Sequence, residues 1–369
     1  MSAVRADGPL IGLAATNVSD ALANVSGGLQ RGARLLDKLD LTATYTGDNH
    51  GEPGLAFFLD LQATDSTDFS STVVGDAQVI SSVDAPAGAR VFNAWAAKDF
   101  DGRGGFKAGI IDLNSELDVQ QTGALFLNGG HGIGPDFSQA GQNGPSVFPS
   151  TGLGFVSWWL PADHWQLKAA VFEGTPGDPA HPGQTSLSLT KNEGALLVFE
   201  VRNRPTPDFV VGLGTWRYTA SFDAIDPAVG RISGNAGLYA IADGTLYAAP
   251  GGNRAGLAGW VRAGIADDRI NPIDSTIAGG LVYTAPFGRE ADQVGIAFGY
   301  AHYGAPARRA GAAGGAPLGA AETSIELTYS FAFSEALIVQ PDIQYVISPS
   351  ADSAVADALV AGSRITVAW

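Results

Sequence analysis

The chain has no cysteine and a single methionine among 369 residues. No disulfide can staple it, and no thiolate can hold a metal. It also has no apolar run of the roughly 18 residues that a membrane helix needs. Charged residues make up only 16%, low for a soluble protein of this size. Basic residues are few: 21 Lys and Arg stand against 37 Asp and Glu, a formal charge of −16. That balance excludes a nucleic-acid partner and a polybasic lipid-binding role. Five scattered His give no metal-ligand spacing. Asp112, Asn114, Glu116 and Asp118 look like a calcium loop but lack its central Gly and its spaced bidentate Glu. The GGHGIG run at Gly129–Gly134 does not sit between a strand and a helix, so it is no phosphate loop. A hydrolase elbow of the G-x-S-x-G type is missing. His164 and His302 alone do not make a barrel lipase. No catalytic residue, metal or cofactor is therefore expected.

What is present is glycine, 49 residues of it, and alternation. In the last twelve residues, ALVAGSRITVAW, one face carries Leu359, Ala361, Ser363, Ile365, Val367 and Trp369. The other carries Arg364 and Thr366. Successive strand residues point to opposite faces. Upstream, Ile325, Leu327, Tyr329 and Phe331 oppose Glu322, Glu326 and Thr328, and Val339, Ile343 and Tyr345 oppose Gln340, Asp342 and Gln344. Long strands, apolar on one face and polar on the other, with a terminal aromatic for the membrane interface, fit a transmembrane antiparallel β-barrel. A soluble or surface β-rich binding protein also alternates, but with strands of about 5–6 residues.

Fifteen further-reaching segments follow the pattern: 35–46, 54–65, 89–100, 104–113, 152–160, 164–173, 193–203, 207–219, 236–248, 255–266, 275–285, 292–303, 320–333, 336–348 and 358–369. Connections alternate short and long, as periplasmic turns and outer loops do. With Trp369 at the periplasmic side, strand 89–100 runs downwards. Strand 35–46 is expected to start from the periplasm and run upwards. Parity then requires a sixteenth strand, placed at 72–83, TVVGDAQVISSV. The barrel is expected to span 35–369, with both chain ends periplasmic. Residues 1–34 are expected outside the wall, as a periplasmic or lumenal segment. Val18, Ala21, Leu22 and Val25 have helical spacing there, and a loosely ordered tail is the alternative. MSAVRADGPL lacks the features of an export signal, so a removed signal is expected ahead of it.

Several stretches carry a family likeness. RVFNAWAAKDF leads through a tight turn to FKAGIIDLN. GALFLNGGHGIGPDFSQAGQNGPSVFP follows, then WQLKAAVFEGTPGDP, and VQPDIQYVISP with LVAGSRITVAW at the end. In this order they resemble the OprB family of carbohydrate-selective porins, from about Asp37 to Trp369. The resemblance implies a largely monomeric 16-stranded outer-membrane channel for mono- and small oligosaccharides, with a homotrimer as the alternative state. It also implies a constriction rich in Arg and acidic groups. Asn93 departs from the pattern, standing where a Glu is expected. Porins for small acids or aromatics are the competing channel reading.

Parity alone selects the lumen face. It points Lys38, Asp40, Asp60, Gln62, Arg90, Asn93, Trp95, Gln166, Lys168, Glu200, Arg202, Trp260, Arg262, Glu322, Glu326 and Arg364 inwards. Of these, Arg202, Arg262, Arg364, Glu200, Glu326, Arg90, Lys168 and Asp60 are the candidate polar lining. Trp95 and Trp260 are the candidate stacking platforms for sugar rings. Trp158, Trp159, Trp216 and Arg217 remain open to either face. Residues 114–151, the longest connection, are the candidate constriction, since so long a loop is usually functional or disordered.

Overall fold

The computed structural model describes residues 11–65, 68–187, 194–249 and 255–369. Residues 1–10 of the expected N-terminal segment, 188–192 of a long connection and the first residue of the strand expected at 193–203 lie outside that description. Sixteen antiparallel strands close into one barrel. They are β1 Gly12–Gly28, β2 Gly32–Thr46, β3 Leu55–Asp65, β4 Gly88–Asp99, β5 Gly104–Ile111, β6 Gly152–Ala162, β7 Trp165–Glu173 and β8 Ala195–Thr206. The second half is β9 Phe209–Asp223, β10 Arg231–Ala248, β11 Gly256–Ala266, β12 Ile273–Thr284, β13 Gln293–Tyr303, β14 Ala321–Ala332, β15 Leu337–Ile347 and β16 Ala356–Ala368. Most exceed the length of an ordinary soluble strand. No helix is long and apolar enough to cross a membrane, which says nothing of strands.

Alternation fixes which side chains meet lipid. Ile325, Leu327, Ile343, Tyr345 and Ile365 are exposed on the outside, while Glu326, Gln344 and Asp342 are buried on the inside. Closure leaves no unpaired edge, which is the condition for a sheet in hydrocarbon. Tyr45 and Phe57, with exposed Trp159, Trp165 and Trp369, mark the end where the short turns and the C-terminus lie. The open assignments resolve: Trp216 is buried inside, Trp159 is exposed outside, and Arg217 is exposed on the outer face of β9. Trp158 points inwards and its Nε1 reaches Asp99 at 3.3 Å.

The count of sixteen stands, but one strand is not where it was expected. Residues 72–83 form no strand. They belong to a segment that folds into the lumen after a π-helical turn, Ser70–Val74. Val73, Val74, Ile80 and Val83 pack there against Leu22, Leu36 and Val346 of the wall. The missing strand is β1, which pairs with β16 and β2 and closes the barrel. The expected helix in residues 1–34 is therefore replaced by a strand of the wall. This shift also reverses two directions: β2 runs towards the short-turn end and β3 towards the long-loop end. β1 starts at the short-turn end, where β16 finishes.

Candidate functional site

Two segments enter the lumen: residues 68–87 after β3 and 112–151 after β5. Inward-folded backbone must find partners for its N–H groups. Here wall carboxylates supply them. Glu326 accepts from the backbone N–H groups of Leu127 and Asn128, at 2.6 and 3.1 Å. Glu322 accepts from those of Ala77 and Gln78, at 2.8 and 3.0 Å. Glu200 accepts from the N–H of Asp118 at 2.9 Å, and Asp243 from that of Thr122 at 3.1 Å. The polar inner face of the barrel thus serves first to dock the inserted segments.

Arg262 completes the docking of 112–151. Its guanidinium lies 2.9 Å from Asp118 and also pairs with Asp136. It is 1% exposed. Gly264 on the next inward position of β11 makes room: a Cβ there would strike Asp136 and Arg262. Burial raises the Asp118 carboxyl, and Arg262 beside it opposes that rise. Close by, His131 lies between Phe126 and Trp260, with ring centroids 5.5 and 5.6 Å away. Burial pushes its imidazole down to about 3, so it is neutral.

The candidate residues therefore fall into two groups. Arg262, Glu326, Glu200 and Trp260 do point inwards, but each is covered by the inserted segment and is buried. They are its anchors and not its neighbours across open water, which corrects their expected place in the lining. Trp260 in particular packs on Phe126 and His131, so its ring offers no free face for stacking. The second group keeps some exposure. Side chains of Lys168 and Arg364 are 14% and 12% exposed, whereas Arg202 is buried at the edge of this group. Trp95 is half-buried on β4. Asp60 and Arg90 lie between the groups: both are buried, yet Asp60 Oδ1, Arg90 Nε and the Oε1 of neighbouring Gln62 have no partner among the described residues.

Around Trp95 the chemistry concentrates. Lys107 Nζ sits 3.8 Å from the centre of its ring, a cation–π contact, and Phe58 lies 5.4 Å away. Lys107 and Lys168 both pair with Glu116, from strands β5 and β7. Burial pushes the Glu116 carboxyl up, but Lys168 and Lys107 outweigh it and hold it below the usual range. On β8, Arg202 pairs with Glu200 next to Tyr239, whose hydroxyl donates to Glu200 at 2.9 Å. Across the lumen Arg364 pairs with Asp20 at 2.7 Å, and Lys38 pairs with Asp40. Lys107, Glu116 and Asp20 were missed from sequence. Parity along β5 could have found Lys107. Glu116 was read only as part of a failed calcium loop, and Asp20 was hidden in the misassigned segment. Among the described residues no cluster of three or more His, Asp or Glu could hold a metal.

The family model of the carbohydrate-selective porins, OprB family, matches residues 38–369. The chain belongs to the OprB family. Among solved structures it is similar to OprB of Pseudomonas putida at high pH, at 20% identity and a TM-score of 0.87, covering 97% of this chain and 94% of that one. The low-pH structure of the same protein gives 17% identity and a TM-score of 0.60, covering 97% and 92%. Salmonella typhi OmpF in complex with daunomycin gives 11% and 0.63, covering 97% of each chain. These likenesses carry the barrel fold alone. No curated protein sequence matches. As an OprB-family porin the chain is an outer-membrane channel for carbohydrates, and the expected family and fold class are confirmed.

Proposed function

We propose that this porin admits mono- and small oligosaccharides along a wall formed by Trp95, Lys107, Lys168, Arg202, Glu116 and Arg364. The observation that carries the reading is the half-buried Trp95 beside Lys107, whose ion-pair network with Glu116 and Lys168 keeps partial exposure. An indole presents an apolar face to the apolar face of a pyranose. Paired cations and carboxylates donate to and accept from hydroxyls, replacing the water the sugar sheds. Pairing also weakens each contact, and a permeant held too firmly does not leave. Arg forks suit vicinal hydroxyls because their donors are planar and fixed. Segment 112–151 narrows the passage in this reading, anchored by Arg262, Glu326, Glu200 and Asp243. Asp60, Arg90 and Gln62 extend the polar wall on β3 and β4.

Liposome swelling with a series from pentoses to trisaccharides tests this. Trp95→Ala is expected to lower discrimination among small sugars and to remove saturation of flux. Arg202→Ala with Arg364→Ala is expected to shift the reversal potential towards cations. If sugar rates and reversal potential both match wild type, the permeant does not meet this wall.

A further inference from the structure

The outer face of β9 changes character along its length. Its outward residues are Val211, Leu213, Thr215, Arg217, Thr219, Ser221 and Asp223. The alternate residues from Gly212 to Phe222 are all buried, which fixes the facing. Apolar side chains occupy the lower part, and from Arg217 upwards the face is polar. Arg217 is exposed, and its guanidinium makes no hydrogen bond or ion pair with a described residue. Asp223, the one acidic residue of β9, pairs instead with Arg231 on β10 at 3.7 Å.

The neighbouring strand is shaped to receive the guanidinium. A bulge lies between Ser233 and Asn235 of β10, and Gly234 within it has a φ of 80°. A Cβ there would meet the Arg217 guanidinium at 2.9 Å. Glycine thus supplies both the left-handed backbone and the bare surface against which the charged group lies.

The register gives the depth. One row runs from Tyr45 through Phe57, Ala96, Ala108, Phe155, Val171 and Leu197 to Arg217. It is apolar at every step between its ends and climbs from the short-turn end. Strands about 4.8 Å apart and inclined at about 40° lift a row about 3 Å per strand. The seven steps from β2 to β9 place Arg217 about 22 Å above Tyr45, at the upper edge of an apolar band about 25 Å tall. Arg217 therefore stands at the headgroup level of the outer leaflet. Below and beside it the wall carries a groove of about 350 Å³. Ala240 and Ala263 form its floor, between Leu213, Leu238, Ile265 and Ile277. Ala240 is four residues down and one strand across from Arg217, about 7 Å lower in the membrane. Above Arg217, Ser221 and Ser233 face each other across β9 and β10, and their hydroxyls make no bond to a described residue.

We propose that this patch binds one phosphorylated glycolipid of the outer leaflet. A phosphate sits on Arg217, sugar hydroxyls meet Ser221 and Ser233, and an acyl chain lies in the groove over Ala240 and Ala263. A planar guanidinium takes two phosphate oxygens at once. At the edge of hydrocarbon that pairing is stronger than in water, because the effective dielectric is lower. The unpaired cation selects an anionic headgroup, and the hydroxyl pair selects a sugar over a glycerol backbone. The inference rests on the outer-leaflet position of the long-loop end and is independent of the sugar-passage reading.

The test is native mass spectrometry of the delipidated porin in mild detergent, titrated with bisphosphorylated lipid A, its dephosphorylated form or phosphatidylglycerol. The wild type is expected to hold one bisphosphorylated lipid A and to bind phosphatidylglycerol more weakly. Arg217→Gln is expected to lower lipid A affinity about tenfold, the worth of one charge-assisted contact. It is expected to bind the dephosphorylated form as the wild type does. Ala240→Phe fills the groove and is expected to weaken both glycolipid forms. Ala108→Phe adds the same bulk elsewhere on the lipid face and is expected to change neither. Heat-modifiability on an unboiled gel confirms that each barrel is folded, and the two site variants test the phosphate and acyl contacts separately. Equal lipid A affinity in wild type and Arg217→Gln, equal affinity in Ala240→Phe and Ala108→Phe, or phosphatidylglycerol binding as tightly as lipid A would overturn the proposal.

Discussion

Arg262→Met should release part of the inserted segment without unfolding the barrel. The guanidinium is the only described cation pairing with Asp118 and Asp136. Asp136 also accepts from the Thr276 hydroxyl, and Asp118 donates its backbone N–H to Glu200. Removing one partner of a buried ion pair leaves uncompensated charge and costs about 3–5 kcal/mol. That is a change of about 150- to 4,000-fold in the local docking equilibrium. The remaining anchors lie elsewhere along the segment: Asp243 at Thr122, and Glu326 at Leu127 and Asn128. The loosening should therefore concentrate near Asp118 and Asp136. Barrel strands bury none of this charge against lipid, so heat-modifiability on an unboiled gel should be unchanged. The assay is amide hydrogen exchange in detergent, read alongside single-channel noise. Exchange should rise around Asp118 and Asp136 with little change at Leu127. The triple variant Arg262→Met, Asp118→Asn, Asp136→Asn carries no buried charge and should recover much of the protection, since a whole buried triad can be replaced at little cost. Wild-type exchange in Arg262→Met, or a triple variant no better than the single one, would refute the clamp.

Other outcomes follow from the same geometry. Leu327→Arg places a charge on the lipid face and should cost about 2–4 kcal/mol of folding if near the bilayer midplane, seen as lost folded barrel. Glu326→Gln should instead leave barrel yield intact but expose the segment near Leu127 to protease, because one of two backbone N–H groups loses its acceptor, at about 1–3 kcal/mol. Asp76 in the inserted segment is pushed up to about 8, first by burial and then by the like charge of Glu322. Its folded form holds a proton that the unfolded chain releases near pH 4, so stability should fall as pH rises from about 4 to 8. Asp76→Asn should flatten that slope in thermal melts. His131 acts in the opposite sense: folded near 3 and unfolded near 6.5, it should withdraw stability as pH falls through that window. His131→Phe should remove that acid-side loss.

The extent to which sequence disclosed this structure depends on what alternation can report. Strands β14, β15 and β16 were legible because lipid on one side and polar packing on the other impose opposite chemistry at successive residues. The same parity placed Arg202, Arg262, Glu200 and Glu326 on the inner face. It could not report what covers them, because burial beneath segment 112–151 is set by contacts between residues far apart in the chain, such as Asp118 with Arg262. Two errors share one cause. Residues 72–83 alternate, yet Val73 and Ile80 are buried against the inner wall rather than in lipid, so an apolar face meant packing and not membrane. Conversely, β1 spans the wall with Asn17, Ser19 and three alanines outward between Leu13 and Val25, so the middle of its membrane face does not read as apolar, and its Val18 and Leu22 fall by chance at helical spacing.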